Sequence, residues 1–299
     1  PGDRALVALS GGADSVCLLL VLAELAGVCG WEIRALHVHH GLRGPEADRD
    51  QQFVRKLCGR LDVPLFVVHR DVAGYARERG LSTEEAGRIL RYQALEDYGR
   101  AWEAEGESRG AEWVGPTGQS RGAEWVGPIG QSRKTEYTGP EDRGSKPAAD
   151  ETRGKRTGKG PATAVKIAVA HHKDDNVETI IHHLLRGSGL RGLGGMLPVQ
   201  GNRVRPLLCV DREEITGYLR QRGQDWCEDS TNDSVDYTRN RIRKELLPYM
   251  ESRIHEGAGE NILRSGKLFA DVDRYLARQA ETVWQQAGSM SGGLAEQPG

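Results

Sequence analysis

The chain has 299 residues, with 41 Lys and Arg against 43 Asp and Glu and a formal net charge of -2, which excludes a global basic signature and confines any nucleic-acid contact to a local patch. This length accommodates one large α/β domain with a smaller appendage, while a hydrophobic fraction of 37% and a mean hydropathy of -0.57 point to a portion that stays solvated. Five cysteines without a C-x-x-C pair suit reduced thiols, and with no apolar run near the ~20 residues of a membrane span and no apolar leader, the expectation is a soluble, cytoplasmic protein without a membrane partner.

Pro1-Gly2-Asp3 lead straight into an apolar segment without an initiating Met, which suggests that an N-terminal segment is missing. Arg4 to Ser10 reads as a buried strand, Ser15 to Ala26 as a helix with leucines on successive turns, and Ile33 to His39 as a second strand, a βαβ unit. Glu46 to Leu61 follows as an amphipathic helix and Pro64 to His69 as a third strand. Thr83 to Glu103 is a longer helix, capped by Ser82 or Thr83. Val165 to Ala170 and Asp174 to Arg186 repeat the strand and helix alternation. This predicts an α/β fold, an open parallel sheet with helices on both faces. Val204 to Val210 is expected as a further strand, Arg212 to Arg222 as a helix, and Thr238 to Met250 as a helix closing at Pro248. Residues 251–288 form a C-terminal helical extension, and the last ten residues are expected to fray.

The alternation is interrupted where Ser108 to Gln119, Ser120 to Gln131 and Ser132 to Arg143 repeat S-R-x-x-E-(W/Y)-x-G-P with a period of about 12 residues. One aromatic per repeat among Gly, Pro and charge buries no core, so 104–162 reads as a disordered surface insertion in a catalytic domain spanning 1–250. A partner-binding repeat using Trp113, Trp125 and Tyr137 is the alternative.

Chemistry concentrates in three places. Ser10-Gly11-Gly12-Ala13-Asp14-Ser15 lies between an apolar strand and an apolar helix. Glycines let amides approach a phosphate, the hydroxyls of Ser10 and Ser15 add donors, and the following helix offers its positive N-terminus. The G-x-x-x-x-G-K-[ST] spacing is absent, which disfavours γ-phosphoryl transfer. A carboxylate at Asp14 fits such an anion cradle if Mg²⁺ bridges it to the phosphates.

The second place is His171-His172-Lys173-Asp174-Asp175-Asn176-Val177-Glu178-Thr179, again between strand and helix, where open parallel sheets bind ligands. Its paired acids can hold Mg²⁺ or act as a base. A zinc site from His37, His39, His40, His171 and His172 is disfavoured by the lack of a Cys or H-E-x-x-H pattern. The third is basic: Arg88 and Arg91 on one helix face, Arg186 to Arg191 around a Gly-rich loop, and Arg239, Arg241, Arg243 and Lys244. Solvated faces explain most such runs; gathered around an ATP site they suit a polyanion such as RNA.

A-L-S-G-G-A-D-S (8–15), H-V-H-H-G-L-R (37–43), E-E-A-G-R-I-L-R-Y (84–92), A-H-H-K-D-D-N-V-E-T (170–179), R-G-S-G-L-R-G-L-G-G-M (186–196), R-P-L-L (205–208) and D-S-T-N-D-S-x-x-Y-T-R-N-R-I-R (229–243) occur in this order. In these segments the chain resembles the tRNA(Ile)-lysidine synthetases of the PP-loop ATP pyrophosphatases, over about residues 1–250 apart from the insertion. The resemblance implies a PP-loop, adenine-nucleotide α-hydrolase-like fold. It also implies a ligase that adenylates C2 of the wobble cytidine of a tRNA(Ile) with a CAU anticodon, releases pyrophosphate, and lets free L-lysine displace AMP, so that AUA is read instead of AUG.

On that resemblance ATP is assigned to Ser10, Gly11, Gly12, Ala13, Asp14, Ser15, His37 and His39. Mg²⁺ is assigned to Asp14 and Asp175, catalysis to Asp14 and Asp175 with Asp174 as rival, and phosphate or tRNA contacts to Arg88, Arg91, Arg191, Arg239, Arg241 and Arg243. A homodimer is a further expectation, since the family is often dimeric. The repeat lies outside the family pattern, and 251–299 corresponds only in part to the family's tRNA-binding regions. Three rivals stand beside this reading: a PP-loop tRNA thiolase, which requires a cysteine pair; a glutamine- or ammonia-dependent synthetase acting on a small nucleotide; and a non-enzymatic RNA-binding module.

Overall fold

The computed structural model describes residues 2–42, 44–107, 123–126, 132–135, 164–228 and 238–291. The chain divides into two compact units: Pro1–Ala170, Val199–Pro206 and Glu213–Glu228 form the first, and His171–Pro198, Leu207–Arg212 and Asp229–Gly299 the second. Among the described residues the helices are α1 (Ala13–Cys29), α2 (Pro45–Leu61), α3 (Val72–Arg79), α4 (Thr83–Glu107), α5 (Lys173–Leu185), α6 (Leu190–Leu193), α7 (Arg212–Gln221), α8 (Thr238–Arg241), α9 (Leu247–Tyr249) and α10 (Ala258–Ser291).

The first unit is built on one sheet. Its strands are β1 (Arg4–Ala8), β2 (Glu32–His39), β3 (Leu65–His69), β4 (Ala123–Val126), β5 (Ser132–Thr135), β6 (Val165–Ala168), β7 (Val199–Gln200) and β8 (Arg203–Val204). They lie in the order β5-β4-β3-β2-β1-β6-β8-β7. The pairs β1–β2, β2–β3, β1–β6 and β6–β8 are parallel, with Leu6 opposite Arg34 on one side and Ile167 on the other. The expected parallel α/β sheet is therefore present. Both edges are antiparallel, through β3–β4–β5 and β7–β8, so the sheet is mixed.

Strand alternation divides the core into two layers. Leu6, Leu36, Phe66, Val68, Val165 and Ile167 pack against Ala94, Leu95, Tyr98 and the fully buried Trp102 of α4. Val7, Ala35, Leu65 and Val67 are equally buried and point to the other face, where α1 and α2 lie against β1, β2 and β3. α1 ends at Gly30, whose φ of 68° is the left-handed turn that stops a helix.

Several expectations need correction. The strand predicted over Val204–Val210 stops at Val204, because Pro206 has no N–H for the ladder, and Pro206–Cys209 turns into a 3-10 helix. α3 was not anticipated; Asp71 initiates it by accepting from the Gly74 amide at 2.9 Å. The helix predicted over Thr238–Met250 does not close at Pro248. The chain continues through it with π-helical turns at Ile242–Leu246 and Met250–Ile254, wider turns that accommodate a residue lacking a donor. The C-terminal helix begins at Ala258 and not at residue 251, because Gly257 at φ 78° breaks the chain direction. Glu251 then accepts from the amides of Gly257 and Gly259, both at 2.7 Å.

In the second unit α10 crosses α5 and α6 at glycines. A Cβ on Gly266 would lie 2.6 Å from Cδ1 of Ile180, and one on Gly194 would lie 3.1 Å from Cβ of Ala270. Of the segment 104–162, the described parts are the end of α4, β4 and β5; the expectation of disorder and the aromatic repeats otherwise lie outside the described residues, as does the fraying beyond residue 291.

Candidate functional site

In the first unit the glycine loop leaves the carboxyl end of β1 and enters α1 through Gly12. Gly11 adopts φ 100°, a conformation costly for any residue with a Cβ. The loop is organised around the Ser15 hydroxyl oxygen, which accepts from the amides of Ser10 and Gly11, each at 3.2 Å, and donates to the Gly12 carbonyl at 3.0 Å. Ser10 Oγ accepts from the Gly12 amide at 3.3 Å and lies 3.0 Å from Ser15 Oγ. The amides of Ser10 and Gly11 thus meet at Ser15 Oγ and that of Gly12 turns to Ser10 Oγ, which folds the loop tightly against the N-terminus of α1, the end of a helix that receives an anion. Asp14 stands in the first turn of α1.

Two further groups hold this loop. The Cys227 amide donates to the Gly11 carbonyl at 2.9 Å, and the Cys227 side chain closes over Gly11, where an added Cβ would lie 3.5 Å from the thiol sulfur. His37 of β2 is buried, with Nδ1 2.8 Å from the Leu9 carbonyl. A carbonyl only accepts, so Nδ1 carries the proton. Burial pushes the His37 pKa down to about 4, which leaves a neutral ring across the ordinary pH range. His37 thus positions the residue that precedes Ser10.

His39 Nε2 lies 3.2 Å from Asp48, and its ring lies 4.7 Å from that of His69. Arg91 reaches His40 at 3.3 Å. Arg88 stands over the Tyr92 ring at 5.3 Å and Arg203 stands over it at 4.4 Å, with Arg203 also paired to Glu96 at 2.6 Å. Arg205, buried nearby, donates to Gln200 at 3.1 Å. Its pKa is lowered by burial, with the charges of Arg203 and Arg88 acting in the same direction. Arg88 is therefore one member of a cationic group completed by Arg203 and Arg205, which sequence spacing did not single out.

The second unit carries the acidic constellation at the start of α5. Asp175 accepts from the His172 amide at 3.1 Å and from Arg243 at 2.8 Å. The same guanidinium reaches Glu178 at 3.1 Å. Glu178 lies one turn beyond Asp175; its i+3 spacing was legible in the motif, but it was not singled out. Burial raises its pKa and Arg243 opposes the rise. Asp174 accepts from the Arg212 amide at 3.0 Å, and the buried His172, with Nδ1 3.4 Å away, is the largest cause holding its pKa below the usual carboxylate value.

Arg243, expected to face phosphate, is thus joined to the acids. Arg241 pairs with Glu245 at 3.6 Å, and Arg191 lies exposed on α6. The Gly-rich segment after α5 is tied back by Asn176, whose Oδ1 accepts from the Met196 amide at 2.7 Å. Residue 43 and residues 229–237 of the quoted motifs lie outside the described residues. Among the described residues no group of three or more His, Cys, Asp or Glu forms a metal nest, and no helix is long and apolar enough to cross a membrane.

A family model described as a PP-loop domain matches residues 1–105 and 160–250. The chain is similar to the tRNA(Ile)-lysidine synthase of Caldanaerobacter subterraneus subsp. tengcongensis, with 34% identity over 290 residues, covering 97% of this chain and 49% of the relative. It is also similar to that of Petrotoga mobilis, with 31% identity over 279 residues, covering 93% of this chain and 70% of the relative. The chain spans about half the length of the first of these. The U34-tRNA thiolase NcsA from Methanococcus maripaludis shares the fold, with a TM-score of 0.56 at 15% identity over 90% of this chain and 72% of that one.

Proposed function

We propose, on the premise that this chain belongs to the PP-loop domain family and within it to the tRNA(Ile)-lysidine synthases, that it is an ATP-dependent ligase joining L-lysine to C2 of the wobble cytidine of a tRNA(Ile) with a CAU anticodon. The observation that carries the reading is the loop of residues 10–15, whose amides and hydroxyls converge at the positive end of α1 beside Asp14.

The O2 oxygen of cytidine attacks the α-phosphorus of ATP; a C–O–P linkage forms and pyrophosphate leaves. The lysine ε-amine then attacks C2, the C–O bond breaks, AMP departs with the oxygen, and the amine surrenders a proton. The N-terminus of α1 and the loop that leads into it hold the leaving pyrophosphate. His37 keeps the loop's entry in place without adding charge. Mg²⁺ binds by one or two carboxylates with phosphate and water, and Asp14 is the carboxylate of the loop that would hold it. When bound, the ion offsets the charge of the leaving group.

Asp175 is assigned to orient the amine and take its proton. Asp174, held anionic by His172, is its rival. Both oxygens of Asp175 are engaged, by Arg243 and by the His172 amide, so basic action requires Arg243 to let go. The target base must be unstacked, which a single-stranded anticodon loop permits. Pairing of the chain as a homodimer and work in the cytoplasm belong to this reading.

The test is release of AMP and pyrophosphate from ATP with and without lysine and an unmodified tRNA(Ile) carrying CAU. Release that needs both supports the ligase. Release indifferent to tRNA would turn the reading towards an adenylating enzyme acting on a small molecule.

A further inference from the structure

The entry to α5 holds a buried side chain to which the reaction above gives no part of its own. His172 is the N-cap of the helix, with extended backbone at φ -117° and ψ -178°, and its side chain is 3% exposed. The ring accepts from the Asp175 amide while the Asp175 carboxylate accepts from the His172 amide, a reciprocal cap. Ser, Thr, Asp and Asn ordinarily fill this position, because a short side chain with one oxygen is enough. An imidazole is larger than the cap requires, and each of its nitrogens faces an acid: Nδ1 lies 3.4 Å from Asp174 Oδ2 and Nε2 lies 3.5 Å from Asp175 Oδ2.

Consecutive positions of a helix point about 100° apart, yet one ring meets the same oxygen of both acids. Asp174 Oδ2 also accepts from the Arg212 amide at 3.0 Å, and the Lys173 amide donates to the Val210 carbonyl at 2.9 Å, so the segment 210–212 secures this acid to the scaffold. Asp175 is held differently. Its Oδ2 is kept by the cap, and its Oδ1 meets Arg243 at 2.8 Å. Arg243 is the partner that must let go before Asp175 can take a proton, and a carboxylate with no other restraint would then turn about its side-chain bonds. With Oδ2 still against the His172 amide and ring, Oδ1 keeps one direction, and a fixed direction is what a proton acceptor needs.

We infer that His172 is a positioning residue for the acid that receives the amine proton, gripping Oδ2 of Asp175 and of its neighbour Asp174 so that Oδ1 of Asp175 keeps its aim when Arg243 releases it. The inference rests on the ligase reading, and its test separates the two. His172→Asn keeps a capping oxygen and removes the ring. In lysine- and tRNA-dependent AMP release by the full chain, kcat should fall by about 10–100-fold, while the KM for ATP and the midpoint of urea unfolding stay near those of the parent. A kcat restored by Asn, or one that falls only in step with the midpoint, would mean that His172 does no more than cap the helix and would overturn the assignment. The grip on the acids is read without turnover, in a double-mutant cycle of His172→Asn and Asp174→Asn followed by urea unfolding. The double variant should lose less than the sum of the two single losses, and additive losses would overturn the contact. AMP release by the parent that ignores lysine and tRNA marks failure of the ligase reading instead, and the cycle still decides whether the ring holds the acids.

Discussion

The Nδ1 of His37 lies 2.8 Å from the carbonyl oxygen of Leu9, which couples the second strand of the sheet to the residue before the phosphate loop. Burial holds this imidazole at a pKa of about 4, against about 6.5 in an unfolded chain. The folded pKa is depressed, so the unfolded chain binds the extra proton between these values. The associated stability is complete above pH 6.5 and is lost as the pH falls towards 4.

Its size follows from the shift, about 3 kcal/mol. In His37→Leu the Leu9 carbonyl loses its donor, so the variant should be less stable than the parent at pH 7 by about 1–2 kcal/mol. At pH 5 the gap should narrow or reverse, because the variant has no proton to take up. Urea unfolding of both proteins at the two pH values measures this. A gap that is the same at pH 5 and pH 7 would contradict a neutral, buried His37.

Arg243 is shared by Asp175 and by Glu178, whose side chain is only 5% exposed. Removing the guanidinium leaves two acids facing each other, one of them desolvated. Arg243→Ala should cost about 1–3 kcal/mol, a figure reduced from that for a fully buried pair because Arg243 is itself 44% exposed. Adding Glu178→Gln should restore part of the loss. Without Arg243 the Glu178 pKa should rise further, so the deficit should be larger at pH 8 than at pH 5, with a protonated Glu178 tolerated at the lower value. A deficit independent of both pH and Glu178 would show that Arg243 acts otherwise.

Gly11→Ala places a methyl group on a residue at φ 100°, with Cγ1 of Val54 at 3.4 Å and the Cys227 sulfur at 3.5 Å. The neighbours are at ordinary range, so backbone strain dominates, and a loss of about 1–2 kcal/mol is expected. Because the loop amides must re-aim, ATP binding measured by calorimetry should weaken more than global stability does. Gly59→Ala, on a helix with nothing within 4 Å, serves as the control; it should leave ATP binding unchanged and stability unchanged or slightly higher by helix propensity.

Asp14→Ala should abolish pyrophosphate release while the thermal transition stays near that of the parent, since the residue sits in the first turn of α1 and supplies no part of the core. Turnover at the parent rate would remove the role assigned to Asp14 in holding Mg²⁺.

Gly266→Ala drives a methyl group to 2.6 Å from Ile180 and 3.3 Å from the Leu193 carbonyl. Overpacking of this kind costs about 1–3 kcal/mol. Gly217→Ala, with open space around it, should be neutral or slightly stabilising by helix propensity. Equal effects in the two variants would mean that α10 does not depend on its close approach to α5.

Much of the first unit was legible in the residues because its signals are local. Alternating strand and helix patterns from Arg4 onward gave the parallel strands in their chain order, and Ser10-Gly11-Gly12 between two apolar segments located the phosphate loop. Pro206 was equally visible as a residue unable to pair, yet the apolar Leu207-Leu208 after it favoured a strand that the backbone cannot continue. The short helix α3 depended on a single cap, Asp71 on Gly74, which a weakly periodic stretch hides.

What the linear order of residues determined by itself was the set of groups: glycines where amides must converge, acids where a helix begins, and arginines in three separate runs. Tertiary structure alone decided their partners. Arg243 was one cation among several in a basic run, and packing of the 238–254 segment against α5 turned it onto Asp175 and Glu178. His37 read as a nucleotide ligand, and strand pairing sealed it behind the Leu9 carbonyl. The reason is physical: propensity and periodicity act over one or two turns of chain, whereas burial and ion pairing depend on which distant side chain the fold brings within a few ångströms.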